Sequence, residues 1–193
     1  MSSHVTQHLI VSSDPEQVRE VIEHIKGAPG TPNELFDLNR IIPMPDVVRR
    51  TAELASLDVA RQVQTKADYD VLLKNLAAAQ YKALCETGFL TWHEWSLEYW
   101  GTIHNVFGVR RVEGKPNELR FKSAHAPIVP ALLFLSSRFP LVEIELEYLH
   151  EDERFIGRSF LRCGEIEYHF YAWDDAEAQE LRARLWGESR RQR

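Results

Sequence analysis

Apolar and polar positions change period several times along the chain, and each change marks an element. Thr6 to Ser12 is a β-rich run around Leu9, Ile10 and Val11 and predicts a buried strand. Ser13 is the expected cap of a following helix, with Pro15 in its first turn and Glu16 placed as in a capping box. Val18, Val21, Ile22 and Ile25 share one face of that helix, and Gly27 with Ala28-Pro29-Gly30 ends it. Leu35 to Ile42 predicts a second strand, stopped by Pro43 and Pro45, which cannot donate to a ladder. Asp46 to Gly88 has a helical, Ala- and Leu-rich texture, with Tyr69, Leu72, Leu73, Leu76, Ala79 and Leu84 as an apolar stripe and Gly88 as C-cap.

Thr91 to Trp100 carries three of the five tryptophans. Trp92, Trp95 and Tyr99 fall on one helix face and predict an aromatic core helix. Leu119 to Ser123 then alternates, with Leu119, Phe121 and Ser123 facing one way and Arg120 and Lys122 the other. Pro127 to Phe139 predicts a short apolar helix closed by Pro140. Along Leu141 to Leu149, Val142, Ile144, Leu146 and Tyr148 point inward, and Glu143, Glu145 and Glu147 point to a solvated face. Arg154 to Arg162 and Glu165 to Trp173 predict two more strands joined by a tight turn at Cys163-Gly164, and Asp174 to Trp186 a last helix capped by Asp174 or Asp175.

The order is β-α-β, a helical insertion over about 46–90, β-α-β, then two extra C-terminal strands and a helix. That describes an α+β fold with a ferredoxin-like core and a mostly antiparallel sheet. It forms a single domain over 1–193, with a basic tail at 187–193. Hydrophobic residues at 44% and charged residues at 27% are in the ordinary globular range, so the core needs no disulfide or metal. The formal net charge of −6 argues against a domain led by phosphate contacts. Cys85 and Cys163 are far apart, without metal spacing, and read as reduced thiols. The start, Met1 to His8, has no apolar signal region, and Ile128 to Leu135 is too short to span a bilayer, so a cytoplasmic protein without a membrane role is expected.

Four segments resemble the YubB-like family of phage and plasmid proteins. His8 to Gly27 is similar to the family's opening strand and helix, "Leu-x-Val-x-Gly". Phe36-Asp37-Leu38-Asn39-Arg40-Ile41-Ile42-Pro43-Met44-Pro45 resembles "Phe-Asn-Lys-Ile-Ile-Pro-Met-Pro" and is the most specific of the four. Trp100-Gly101-Thr102 resembles the start of "Trp-Gly-Thr-Lys-Trp-Asn", which ends here in Asn105, and Phe121 to Gly157 matches a strand, a Pro-containing helix, "Phe-Pro", a strand and Gly. The resemblance implies a ferredoxin-like fold in a mobile-element setting and no particular reaction. Ile103 and His104 stand where the family has Lys and Trp, His125 replaces a second family Trp, and His4 to Gln7 replace its Asn-Trp-Cys-like opening. Partners that touch change together, so His104 and His125 are expected to lie close in space.

Candidate chemistry is sparse. His104 and His125, with His93, His169 or Glu94 as third partner, are the metal-ligand alternative for a metal-dependent hydrolase. No His-Glu-x-x-His run, Gly-x-Ser-x-Gly elbow or phosphate loop accompanies them. Arg110, Arg111, Lys115, Arg120 and Lys122 form a basic edge for the single-stranded nucleic-acid alternative, which Glu143, Glu145 and Glu147 oppose. The favoured expectation is a non-catalytic module with no cofactor that binds a protein partner and modulates a defence or DNA-handling protein. Its candidate binding residues are Trp92, Trp95, Trp100, Thr102, His104, Asn105 and His125. Oligomeric state and partner identity stay open at this point.

Overall fold

The computed structural model describes residues 4–150 and 155–186. The expected basic tail with Arg190, Arg191 and Arg193, and Arg154 at the start of an expected strand, lie outside the described residues. In chain order the elements are β1 (His4–Ser12), α1 (Pro15–His24), α2 (Leu38–Ile41), α3 (Asp46–Leu54), α4 (Leu57–Ala60), α5 (Lys66–Thr87), α6 (Trp92–Trp100), β2 (Phe107–Val112), β3 (Lys115–Ala124), α7 (Val129–Arg138), β4 (Glu143–His150), β5 (Phe155–Arg162), β6 (Glu165–Tyr171) and α8 (Ala176–Trp186). The chain divides into two compact units, one made of the residues up to Ile42 and from Trp100 onward, the other of Pro43–Tyr99.

In the first unit the described strands form one six-stranded sheet of order β2-β3-β1-β4-β5-β6. Every neighbouring pair is antiparallel. One face carries Leu9, Leu119, Leu146 and Ile144, with α1 against β1 and β3 and α7 against β4, β5 and β6. Val21 and Ile22 of α1 and Ala131, Leu132 and Leu135 of α7 close this core. The amide of Gln7 ties β1 to the start of α7, because its Oε1 accepts the Ile128 N–H at 3.1 Å. On the opposite face, Ala178, Leu181 and Leu185 of α8 pack on Leu149 and Ile156.

Several expectations need correction. Asp14 caps α1, accepting from the Glu16 and Gln17 N–H groups, while the Ser13 hydroxyl donates to the Leu141 carbonyl instead. Leu35 to Ile42 is not a strand. Asp37 accepts the Asn39 N–H and starts the short helix α2, so that Phe36, Leu38 and Ile41 all become buried plugs. The strand that belongs after α1 is β2, beyond the insertion, where Gly108, Arg110 and Arg111 break the alternation a sequence reader looks for. The Cys163-Gly164 turn is as expected: both residues have positive φ, 53° and 79°, as a two-residue hairpin turn requires.

In the second unit, α3 packs against α5, and Val48, Thr51 and Leu54 of α3 are buried. Thr65 and Asp68 form a capping box that opens α5, and Gly88 ends it. The apolar stripe is narrower than expected, since Leu72, Leu76 and Ala79 are half-buried but Tyr69, Leu73 and Leu84 are exposed. The expected aromatic helix is α6, in which the Trp95 and Tyr99 rings lie 4.8 Å apart, but of the expected core face only Trp95 is buried, Trp92 being half-buried and Tyr99 exposed.

Candidate functional site

The segments that look most like motifs are engaged with one another. The Trp100 indole N–H donates to the Ile42 carbonyl at 2.9 Å, joining the two points where the first unit is interrupted. The Asn105 side chain accepts the Leu38 N–H at 3.0 Å and donates to Asp37 Oδ1 at 2.6 Å. Thr102, fully buried, donates to the Ala124 carbonyl at 2.9 Å and accepts the Ala124 N–H at 3.1 Å. Trp100, Thr102 and Asn105 therefore spend their polar groups on a clasp inside the first unit. Trp100→Phe removes one hydrogen bond and leaves the Ile42 carbonyl without it. It is expected to cost about 1–2 kcal/mol, read as a lower urea midpoint with an unchanged slope.

His104 and His125 are both exposed, on segments that run side by side because Thr102 and Ala124 are bonded. His125 has a φ of 68°, uncommon for a residue with a side chain. His169 sits on β6, separated from β3 by three strands in the sheet order, with Nε2 3.0 Å from Glu167. The metal alternative of His104, His125 and His169 is thus not assembled. Among the described residues no group of three His, Cys, Asp or Glu side chains is gathered to hold an ion. Trp92 and Trp95 lie in the second unit, where the Trp92 N–H donates to Thr51 Oγ1 at 2.9 Å and Trp95 is buried.

The densest chemistry lies on the sheet face opposite α1 and α7, and it centres on a residue the sequence did not single out. His8 of β1 is 3% exposed. Its Nδ1 lies 3.0 Å from Glu147 Oε2 and its Nε2 2.9 Å from Glu118 Oε2. A carboxylate only accepts, so both contacts are hydrogen bonds when both ring nitrogens carry a proton. Glu147, fully buried, also receives Arg158 at 3.0 Å and Arg184 of α8 at 3.1 Å. Burial alone would push its carboxyl up. The His8 hydrogen bond and the charges of Arg184, His8 and Arg158 outweigh burial and hold it below the usual carboxylate value. Lys115 neutralises Glu118 at 2.8 Å, and buried Arg120 donates to the Arg184 carbonyl at 3.1 Å. This face is therefore not simply solvated, and Lys115 and Arg120 of the basic edge are engaged within the fold. With both ring nitrogens occupied and the ring shut in, His8 has no free group to offer a substrate. The trio ties β3, β1 and β4 together and anchors α8.

Further along the same face the balance changes. Glu143, Glu145, Glu165 and Glu167 line an open hollow of about 680 Å³ together with Phe160 and Arg162. Arg162 reaches Glu143 at 2.8 Å and Arg158 reaches Glu145 at 3.5 Å. Burial, and next the charge of Glu147, push the Glu145 carboxyl above its usual value in spite of Arg158, Arg184 and His8. Around the hollow four carboxylates thus face two arginines, Arg158 and Arg162.

No known protein-family model matches the chain, and no curated protein matches it in sequence. Among solved structures it is similar to the crystal structure of the protein api92 from Yersinia pseudotuberculosis, of family model DUF1281. The TM-score is 0.52 at 12% identity, over 89% of this chain and 99% of that one. At this identity the likeness concerns the fold. The shared architecture is α+β, and no described helix is long and apolar enough to cross a membrane.

The sequence missed His8 and Glu118. The available signal was the period of two that sets Thr6, His8 and Ile10 against Gln7, Leu9 and Val11. What it lacked was the pairing that puts β1 between β3 and β4.

Proposed function

We propose that this chain is a non-catalytic protein-binding module on a ferredoxin-like core, whose partner presents a basic segment to the acidic hollow at Glu143, Glu145, Glu165 and Glu167. The run β1-α1-β2-β3-α7-β4 with sheet order β2-β3-β1-β4 supports the ferredoxin-like reading, with β5, β6 and α8 as additions. The observation that carries the docking reading is the gathering of four carboxylates, Glu143, Glu145, Glu165 and Glu167, around one hollow where Arg162 and Arg158 reach only Glu143 and Glu145, an arrangement that favours an incoming Lys or Arg. The resemblance of Phe36 to Pro45 to the YubB-like family supports a phage or plasmid setting in the cytoplasm. Proteins that handle DNA carry basic surfaces, and one of these, from host or element, is the partner class the field fits. The carboxylates of Glu165 and Glu167 in the hollow, and the engagement of Lys115 and Arg120, count against single-stranded nucleic acid on this face.

The test is a fluorescence titration with an arginine-rich decapeptide, run beside an acidic decapeptide and a single-stranded oligonucleotide. Binding of the basic peptide alone is expected, weakening as salt rises. A Glu143→Gln, Glu165→Gln, Glu167→Gln triple variant is expected to lose about tenfold or more in affinity. Equal affinity in the triple variant would place the partner elsewhere, and tight binding of the oligonucleotide would replace this reading.

A further inference from the structure

The two edges of the sheet are built differently. At β2 the ladder shifts register between Phe107 and Arg110 and again between Arg111 and Val112, and two arginines lie on the strand. Bulges and charges of this kind blunt an edge against pairing. At β6 the seven residues Glu165–Tyr171 pair with β5 in unbroken register, without proline, lysine or arginine. Among the described residues nothing pairs with the outer side of β6. Phe170 is 70% exposed and Tyr168 49%, and their rings stack on each other at 5.9 Å with 11° between planes.

We propose that β6 pairs with β6 of a second copy of this chain, antiparallel about a two-fold axis at Tyr168, to give one continuous sheet. The two-residue turn makes Arg162 and Glu165 a hydrogen-bonded pair, and bonded and non-bonded pairs then alternate along the hairpin. The His169 carbonyl accordingly points toward β5, where it would stand 2.7 Å from a side chain added at Gly157. The N–H and C=O groups of Ile166, Tyr168 and Phe170 therefore face outward. Pairing centred on Tyr168 sets Tyr168 against its own copy and Ile166 against Phe170, so all three outward residues meet outward residues, for about six main-chain bonds.

Charge selects this centre over its neighbours. Centred on Tyr168, Glu167 of one copy lies opposite His169 of the other, twice. Centred on Glu167, the two Glu167 carboxylates would face each other. The face with Ile166, Tyr168 and Phe170 becomes an apolar cross-strand cluster, covering the exposed stack. This inference does not rest on the docking reading: the hollow lies on the other face, and a dimer would place two hollows on one sheet.

The test uses the full chain in sedimentation velocity and light scattering over a concentration series. A dimer of twice the 22.4 kDa chain mass is expected. Phe170→Lys is expected to weaken it by about tenfold or more while leaving the circular dichroism unchanged. Tyr168→Pro removes an outward N–H that β5 does not use, and is expected to do the same. Register is read by charge: Glu167→Lys is expected to weaken the dimer, and adding His169→Glu to restore it. A wild-type monomer at roughly 100 μM overturns the proposal. So does a dimer unmoved by Phe170→Lys and Tyr168→Pro, or a Glu167→Lys loss that His169→Glu does not repair. A monomer that binds a single-stranded oligonucleotide through Phe170 would overturn it in favour of base stacking.

Discussion

Glu147→Gln is expected to lower the stability of the folded protein by about 3 kcal/mol, whereas Glu145→Gln, two residues away on the same strand face, is expected to leave it unchanged or raise it. The two side chains are chemically identical and differ in what surrounds them. Glu147 is fully buried and accepts from His8, Arg158 and Arg184, so an amide there leaves an imidazole and two guanidinium groups without their common counter-charge. Glu145 carries its charge against burial first and the negative charge of Glu147 second, with Arg158 at 3.5 Å as partial compensation, so an amide removes a desolvation cost and a repulsion. The pH dependence has opposite signs at the two positions. Glu147 is held below its unfolded value, so its stabilisation is fully present above about pH 4.3 and is lost as pH falls through the folded value. Glu145 is held above its unfolded value, so folding gains stability as pH falls through that raised value and loses it as pH rises again. Urea unfolding at several pH values checks both. Equal losses in the two variants would mean that the network around His8 does not discriminate between them.

How far the sequence carried depends on which interactions are local. β4 was legible because strict alternation from Val142 to Tyr148 needs no knowledge of neighbours, and the β5–β6 hairpin because Cys163-Gly164 supplies its own turn. Leu35 to Ile42 misled because a β-branched pair, Ile41 and Ile42, follows Asp37, and the capping bond from Asp37 to the Asn39 N–H outweighs that weak preference. β2 was invisible because its place is set by β3, across two register shifts that scramble the period. The same distinction governs the candidate site. Glu143, Glu145 and Glu147 were assigned to one face correctly, but burial separates them: Glu143 is exposed and Glu147 is sealed beneath Arg184 of α8. That difference arises from a helix 37 residues further along the chain than Glu147, at Arg184.

Gly101→Ala is expected to cost about 2–4 kcal/mol, from backbone strain and overpacking together. Gly101 has a φ of 78°, where a side chain meets its own backbone, and a Cβ there would lie 2.5 Å from Pro130 Cδ and 2.7 Å from the Pro127 carbonyl oxygen. Neither atom yields easily, since one belongs to a proline ring in the first turn of α7 and the other to the main chain before it. Gly30→Ala separates the two contributions. Gly30 has a similar φ of 75° with nothing within 4 Å of the added atom, so it is expected to lose only the backbone part, about 1–2 kcal/mol. The excess at Gly101, read from urea midpoints of the two variants, measures how closely the Trp100–Asn105 segment is pressed onto α7. A small excess would mean that α7 can shift. A large one means that Gly is required there for packing, as Trp100, Thr102 and Asn105 are required for the hydrogen bonds on either side. On that account the most motif-like stretch of the chain is held by the closure of its own unit, through Trp100 to Ile42, Thr102 to Ala124 and Asn105 to Asp37.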